Sequence, residues 1–275
     1  MKFTKMQGCG NDYVYVNCFK ETIEHPAELA VKISDRHFGV GSDGLILICP
    51  SEVADVRMEM YNADGSQSQM CGNGVRCVGK YAYDYGLVKK DVITVETLAG
   101  IKTLQLTIEN NKAVRLTVDM GVPEVNPSLV PVKAVGEAVI DRPLRVDGKD
   151  YNITCVSMGN PHAITFVQDT KEIAIEAIGP KFEYHEFFPE RTNTEFIQVL
   201  NDHEINMRVW ERGSGETLAC GTGACASAYA CILNGLTRDE VTVHLLGGDL
   251  LIRYDRESGH IFMTGPAEVV FDGEL

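Results

Sequence analysis

The chain repeats itself at long range. The stretch CGNG at 71–74 returns as CGTG at 220–223, an offset of 220 − 71 = 149 residues, and each copy opens a helix-like run. The same offset carries Gly10-Asn11 onto Gly159-Asn160, Met58 onto Met207, Tyr61 onto Trp210 and Gly86-Leu87 onto Gly235-Leu236. After a slip of one residue it also carries Thr94 and Val95 onto Thr242 and Val243. Solenoid repeats have periods of roughly 20–50 residues, so a period this long describes two similar domains. A duplicated domain puts the same residue types in equivalent places, here a cysteine at the head of each helix-like run.

Local patterns fill in the duplicated unit. Strand-like segments, β-branched or alternating, occupy 13–16, 45–48, 56–60, 92–95, 103–108 and 114–118 in the first half. The second half offers 164–166, 196–199, 205–210, 241–243 and 250–254. Strands dominate and short turns separate several of them, which favours antiparallel sheets over a doubly wound parallel fold. The run 224–233 is apolar nearly all round, the pattern of a helix enclosed by protein. Its counterpart, 75–85, is mostly apolar but carries Arg76, Lys80 and Asp84, and Gly86 and Gly235 stand where helix-ending glycines belong. The expected fold is α+β: two pseudo-symmetric domains, each a mostly antiparallel sheet or barrel around a buried central helix. Gly121, Pro123, Pro127 and Pro131 interrupt any regular pattern. The domains are therefore expected at 1–120 and 121–262, each carrying one of the repeated cysteines. The segment 261–271 reads as one last strand, with 263–275 returning to the N-terminal domain.

Composition narrows the function classes. With 44% hydrophobic and 23% charged residues over 275, the chain can build two good cores. Its apolar runs fall far below the roughly 18 residues of a spanning helix, and no apolar stretch follows Lys2 and Lys5. A cytoplasmic location is expected. A formal charge of −14 argues against nucleic acid and anionic membranes, which demand a basic footprint. The nine cysteines are odd in number and contain no C-x-x-C spacing, against both a disulfide framework and structural zinc. Cys77, Cys225 and Cys231 lie inside apolar helical stretches and are expected to be plain core. Gly39 to Gly44 fit G-x-G-x-x-G literally, but a strand follows where a dinucleotide site requires a helix.

Cys71 and Cys220 differ from the other cysteines in their context. A cysteine at a helix start meets unsatisfied backbone N–H groups and the positive end of the macrodipole, which is expected to lower its thiol pKa from about 8.5. Gly72, Gly74, Gly221 and Gly223 let a ligand approach the backbone closely, and the free N–H groups suit a carboxylate. Two such helix starts, brought to the two faces of one carbon, would remove a proton from one side and return one to the other. That chemistry inverts a stereocentre and requires one thiolate and one thiol at a time.

The sequence resembles the diaminopimelate epimerase family of amino-acid racemases, which work without pyridoxal phosphate. The resemblance rests on QGCGNDY at 7–13, DG at 43–44, YNADGS at 61–66, MCGNGVRC at 70–77, MGNPH at 158–162, RTNTEF at 191–196 and WERGSGETLACGTGA at 210–224. It implies interconversion of LL- and meso-2,6-diaminopimelate, no cofactor, no metal and a homodimer. By the same resemblance Cys71 and Cys220 are the acid/base pair, with His162 and Glu211 tuning them. Asn11, Asn62, Asn160, Asn193, Glu211 and Arg212 fall at substrate-contacting positions, with Gly72, Asn73, Gly221 and Thr222 as backbone contacts around the reacting carboxylate. Arg212 offers a fork suited to a distal carboxylate, and the asparagines offer neutral donors and acceptors for an amino-acid end. This chain departs from the family at Gly44, where many members carry glutamine, so no side-chain contact carries over there. The alternatives are a proline or hydroxyproline racemase, whose first motif typically has histidine where this chain has Asn73, and a non-catalytic thiol redox or metal-binding protein.

Overall fold

The structure, a computed structural model, describes Met1–Leu275. The chain forms two units, Met1–Asp119 with Thr264–Leu275, and Met120–Met263. Unit 1 is built from β1 (Lys2–Gly8), β2 (Asn11–Asn17), β3 (Gly44–Cys49), β4 (Val56–Asn62), β5 (Gln67–Ser68), β6 (Val92–Thr97), β7 (Gly100–Glu109) and β8 (Lys112–Gly121), with helices α1 (Pro26–Ser34) and α2 (Gly72–Asp84). Unit 2 contains β9 (Arg142–Val146), β10 (Lys149–Ser157), β11 (Pro161–Phe166), β12 (Asn193–Asn201), β13 (Glu204–Glu211), β14 (Gly215–Glu216), β15 (Glu240–Leu245), β16 (Gly248–Tyr254) and most of β17 (Ile261–Gly265). Its helices are α3 (Ile175–Glu183) and α4 (Gly221–Leu233), and β18 (Glu268–Glu274) belongs to unit 1.

Strand pairing reproduces the offset. In unit 1 the parallel pair β2–β3 sets Tyr13 opposite Gly44, and in unit 2 the parallel pair β11–β12 sets His162 opposite Asn193, both residues advanced by 149. The helices outside the sheets follow it too, since 26 + 149 = 175 and 34 + 149 = 183 are the first and last residues of α1 and α3. Hairpins are antiparallel, as the short turns imply, but β2–β3, β4–β6, β11–β12 and β13–β15 pair in parallel. Between β2 and β3 the chain carries α1, between β11 and β12 it carries α3, and the pairs β4–β6 and β13–β15 enclose α2 and α4, as crossover connections require. Neither α1 nor α3 was legible in the sequence. Each is only nine residues long, one begins on Pro26 and the other contains Pro180.

The central helices are enclosed by their own sheets. In unit 1, α2 packs on β1, β2, β6 and β7, and in unit 2, α4 packs on β10, β11, β12, β15 and β16. Val75, Cys77 and Val78 of α2 and Ala224, Cys225, Ala228 and Cys231 of α4 are buried, so the three cysteines expected in the core are there. Burying a Val or Leu side chain contributes about 1.5–3 kcal/mol. Gly86 and Gly235 follow the helix ends with φ of 76° and 67°, the left-handed conformation of a terminating glycine.

One strand expectation needs correction. Segment 261–271 is two strands, β17 and β18, separated around Pro266, whose missing N–H cannot serve a ladder. β18 pairs antiparallel with β1, and β9 takes the same edge position beside β10 in unit 2. The sequence patterns also missed β1, β9 and β10, where Lys2, Lys5, Arg142 and Lys149 dilute the apolar alternation.

Candidate active site

Each repeated cysteine is the N-cap of its central helix. Cys71 and Cys220 adopt extended backbone, with φ of −127° and −122°, and each Sγ accepts a hydrogen bond from the N–H three residues on. Gly74 N–H donates to Cys71 at 3.4 Å and Gly223 N–H donates to Cys220 at 3.4 Å. The local cause is the same in both units: a strand hairpin delivers the chain to the helix start, and glycine at the third helical position leaves room for the sulfur. A Cβ placed on Gly74 would lie 2.8 Å from Ile46 Cδ1 and 3.2 Å from Met58 Cε. One placed on Gly223 would lie 2.6 Å from Glu195 Oε1, 3.1 Å from Met207 Cε and 3.2 Å from Cys220 Sγ. Met58 and Met207 are repeat partners, as are Ile46 and Glu195.

Unit 1 surrounds its cysteine with amides. Cys71 donates to Asn11 Oδ1 at 3.2 Å, and Asn11 Nδ2 is held by Asp43 Oδ2 at 2.7 Å. Asn73 is buried with its Oδ1 2.9 Å from Arg76 Nη2, while Arg76 Nη1 also donates to the Gly72 carbonyl at 3.3 Å. The Asn73 side chain thus points to Arg76. Asn62 closes the turn after β4, donating to Ser66 Oγ at 3.0 Å.

Unit 2 surrounds its cysteine with ionisable groups. His162 Nδ1 lies 2.7 Å from Glu195 Oε1 and His162 Nε2 lies 3.0 Å from Asn160 Oδ1, so the ring is held at both nitrogens. His162 and Glu195 are both 0% exposed, and Glu195 Oε2 is buried without a hydrogen-bond partner. Thr217 donates a short hydrogen bond to Glu211, and Thr222 Oγ1 is 3.5 Å from Cys220 Sγ. Burial raises the Glu211 carboxyl above its usual range. The expectation of a lowered thiol fails at Cys220. Burial pushes this thiol well above its ordinary value, and the charges of Glu211 and Glu195 push the same way. Hydrogen bonds from Thr222 and Gly223 act in the opposite sense without offsetting them.

Asn193 and Arg212 form a third group. Asn193 Nδ2 donates to the Pro161 carbonyl at 2.8 Å, and its Oδ1 accepts from Arg212 N–H at 2.9 Å. Arg212 Nη1 donates to the Glu190 carbonyl at 2.9 Å, while the side chain stands exposed. Asn11 is thus joined to Cys71, Thr222 and Glu211 lie at Cys220, Asn160 joins His162, which pairs with Glu195, and Asn193 joins Arg212.

The sequence profile described as diaminopimelate epimerase matches residues 3–126 and 154–270. The chain belongs to the diaminopimelate epimerase family. Relatives named diaminopimelate epimerase run the whole length. That of Acetivibrio thermocellus is 56% identical over 275 residues, covering 100% of this chain and 98% of the relative. That of Agathobacter rectalis is 57% identical over 282 residues, at 100% and 99% coverage, and that of Methanococcus maripaludis strain C5 is 54% identical over 275, at 100% and 99%. The fold is shared more widely. A phenazine biosynthesis protein of the PhzF family from Bacillus anthracis superposes with a TM-score of 0.72 at 20% identity, covering 100% of this chain and 98% of the other. A hydroxyproline epimerase from Agrobacterium vitis superposes at 0.70 with 14% identity, covering 100% and 90%.

The surroundings of Gly44 leave no room for a side chain in this chain. A Cβ on Gly44 would lie 2.2 Å from the Tyr61 carbonyl oxygen and 2.8 Å from Tyr13 Cε1. Sequence reasoning missed Glu195 and Arg76. A signal for Glu195 was available, because the offset of 149 puts a charged residue where unit 1 has the apolar Ile46. A buried site that changes from isoleucine to glutamate between copies marks a position where packing alone does not decide.

Proposed function

We propose that this protein is a diaminopimelate epimerase, interconverting LL- and meso-2,6-diaminopimelate in lysine and peptidoglycan precursor biosynthesis. The observation that carries the reading is identity of 56% with a diaminopimelate epimerase across the full 275 residues. Reaction proceeds without a cofactor. One cysteine thiolate takes the α-proton, the negative charge spreads into the α-carboxylate, and the other cysteine thiol gives a proton to the opposite face of the same carbon. Backbone N–H groups at the first turns of α2 and α4, on Gly72, Asn73, Gly221 and Thr222, bind the carboxylate more tightly as it gains charge. They therefore stabilise the transition state more than the bound substrate.

The roles differ between halves. Cys220 starts as the thiol, because burial and the Glu211 and Glu195 charges oppose its ionisation, and the two cysteines exchange roles with the direction of reaction. His162, fixed at both ring nitrogens, and Glu211 adjust Cys220 as the proton moves. Asn11, Asn62 and Asn160 hold the reacting amino-acid end, and Asn193 with Arg212 holds the distal one. Homodimeric assembly and a cytoplasmic location complete the proposal. No helix is long and apolar enough to cross a membrane.

The test is proton NMR of reduced protein with LL-diaminopimelate in D₂O, without added pyridoxal phosphate, beside a sample containing L-proline. Loss of α-proton signal with appearance of the meso isomer is expected. Exchange on proline alone would move the assignment to the proline racemases, and silence on both substrates would remove the catalytic reading.

A further inference from the structure

A second pair of cysteines lies in unit 1, away from the helix start. The parallel register of β2 and β3 runs from Tyr13 opposite Gly44 to Asn17 opposite Ile48, so the next residues in register are Cys18 and Cys49. Cys18 N–H continues the ladder by donating to the Ile48 carbonyl at 2.9 Å. Period two puts both side chains on the face that carries Val14, Val16, Leu45 and Leu47, at the rim of the cluster under α1. Adjacent strands are about 4.7–4.9 Å apart, inside the roughly 4.4–6.8 Å Cα separation of a disulfide. Both thiols are free, and they hydrogen-bond each other. Arg57 is the next residue in the row, opposite Cys49 on β4, and its Nε is buried without a hydrogen-bond partner. The hydrogen bond from Cys18 holds the Cys49 thiol below its ordinary value against burial and the Glu59 charge, and Arg57, which also pairs with Glu59 at 2.8 Å, acts with Cys18.

The fold does not require this pair. The offset of 149 places Val167, Gln198 and Asn206 at the corresponding positions of unit 2, where Val167 N–H makes the equivalent bond to the Ile197 carbonyl at 2.8 Å. The backbone is the same there without any thiol.

We propose that Cys18 and Cys49 form a peroxide-oxidisable dithiol, a modification site separate from Cys71 and Cys220. The Cys49 thiolate attacks one oxygen of hydrogen peroxide, the O–O bond breaks, and hydroxide leaves and takes up the proton that Cys49 released, giving water. The Cys18 sulfur then attacks the sulfenic acid on Cys49, the S–S bond forms, and the sulfenic oxygen leaves as a second water with the Cys18 proton. One peroxide and two thiols give one disulfide and two waters. Arg57 favours the first step by stabilising the attacking thiolate.

The experiment treats reduced full-length protein with a few equivalents of hydrogen peroxide, blocks remaining thiols with iodoacetamide and maps tryptic peptides. Peptide 6–20 should be joined to peptide 37–57, with fragment ions placing the bond on Cys18 and not on Cys9. In Cys18→Ser the linked species should vanish and a Cys49 sulfenic acid should be trapped by dimedone. In Arg57→Gln, which removes a tryptic site and leaves Cys49 on peptide 37–76 together with Cys71, fragment ions must place the bond on Cys49, and that linkage should slow severalfold at pH 7. The readout is the Cys18–Cys49 bond located by fragment ions, so oxidation of the helix-start cysteines does not enter it. Full alkylation of both peptides at peroxide levels that oxidise free glutathione would overturn the proposal. So would linkage through Cys9, or linkage at the same rate in urea-unfolded chain.

Discussion

At Gly74 and Gly223 the two halves present the same N–H to the same sulfur, at 3.4 Å in each, yet the side chain behind that glycine is Ile46 in unit 1 and Glu195 in unit 2. The exchange extends outward. Tyr13 and Asn62 of the first half stand where the second has His162 and Glu211. Duplication has kept the backbone that positions a cysteine and changed the charges that decide its protonation. The difference puts charges that oppose ionisation beside Cys220. The comparison also separates two kinds of residue: those that fold the helix start are repeated, and those that set its chemistry are not.

The comparison can be broken most sharply at the cysteines. Cys71→Ala and Cys220→Ala should each lower epimerisation by on the order of 10²–10⁴-fold, the range for removing a general acid or base. Near-normal turnover by either variant in a steady-state assay would end the pairing of the halves. Glu195→Gln should cost roughly tenfold in kcat. It should also lower the pH midpoint for alkylation of Cys220, because the Glu195 charge opposes ionisation there. An unmoved midpoint would make Glu195 a packing residue.

Smaller effects sharpen it further. Gly223→Ala should destabilise the protein by about 1–3 kcal/mol, the cost of overpacking, and Gly74→Ala by less. The added methyl meets a carboxylate oxygen at 2.6 Å in the first case and a rotatable Ile46 methyl at 2.8 Å in the second. Equal or reversed urea midpoints would contradict this. Glu211→Gln should give a modest gain in thermal midpoint at pH 7–8 that fades with acid. The folded state holds the Glu211 proton more tightly than the unfolded chain does. The cost of this carboxylate is therefore absent below its unfolded pKa and complete above its raised folded pKa, and stability falls as pH rises between them. A loss of stability at neutral pH that persists in acid would show that the Thr217 hydrogen bond dominates instead.

The sequence exposed what the repeat doubles. Cys71, Cys220 and their glycines, the paired central helices and most inner strands were legible because each pattern occurs twice at one offset. Helices α1 and α3 were hidden because nine residues with an internal or initial proline give little periodicity to read. The strands β1, β9 and β10 were hidden by lysines and arginines on faces the structure leaves polar or pairs, as Lys5 pairs with Asp12 at 2.6 Å. The raised Cys220 thiol was misjudged from the helix start alone. The dipole and N–H groups are a local feature, whereas burial and Glu195, which lies 25 residues before Cys220 (220 − 195), act through the fold. The departures from the repeat, Ile46 to Glu195 and Asn62 to Glu211, held the information that the repeat itself could not.

The claim that one cysteine removes the proton and the other returns one is tested most directly by following label in the first few per cent of reaction. Reduced protein converts LL-diaminopimelate in D₂O, and deuterium at the α-carbon is measured separately in the meso product and in recovered LL substrate. Two bases predict meso product carrying deuterium from the second thiol while recovered substrate keeps its protium. Protium carried into the product, or deuterium entering recovered substrate as fast as product forms, would contradict the two-cysteine account.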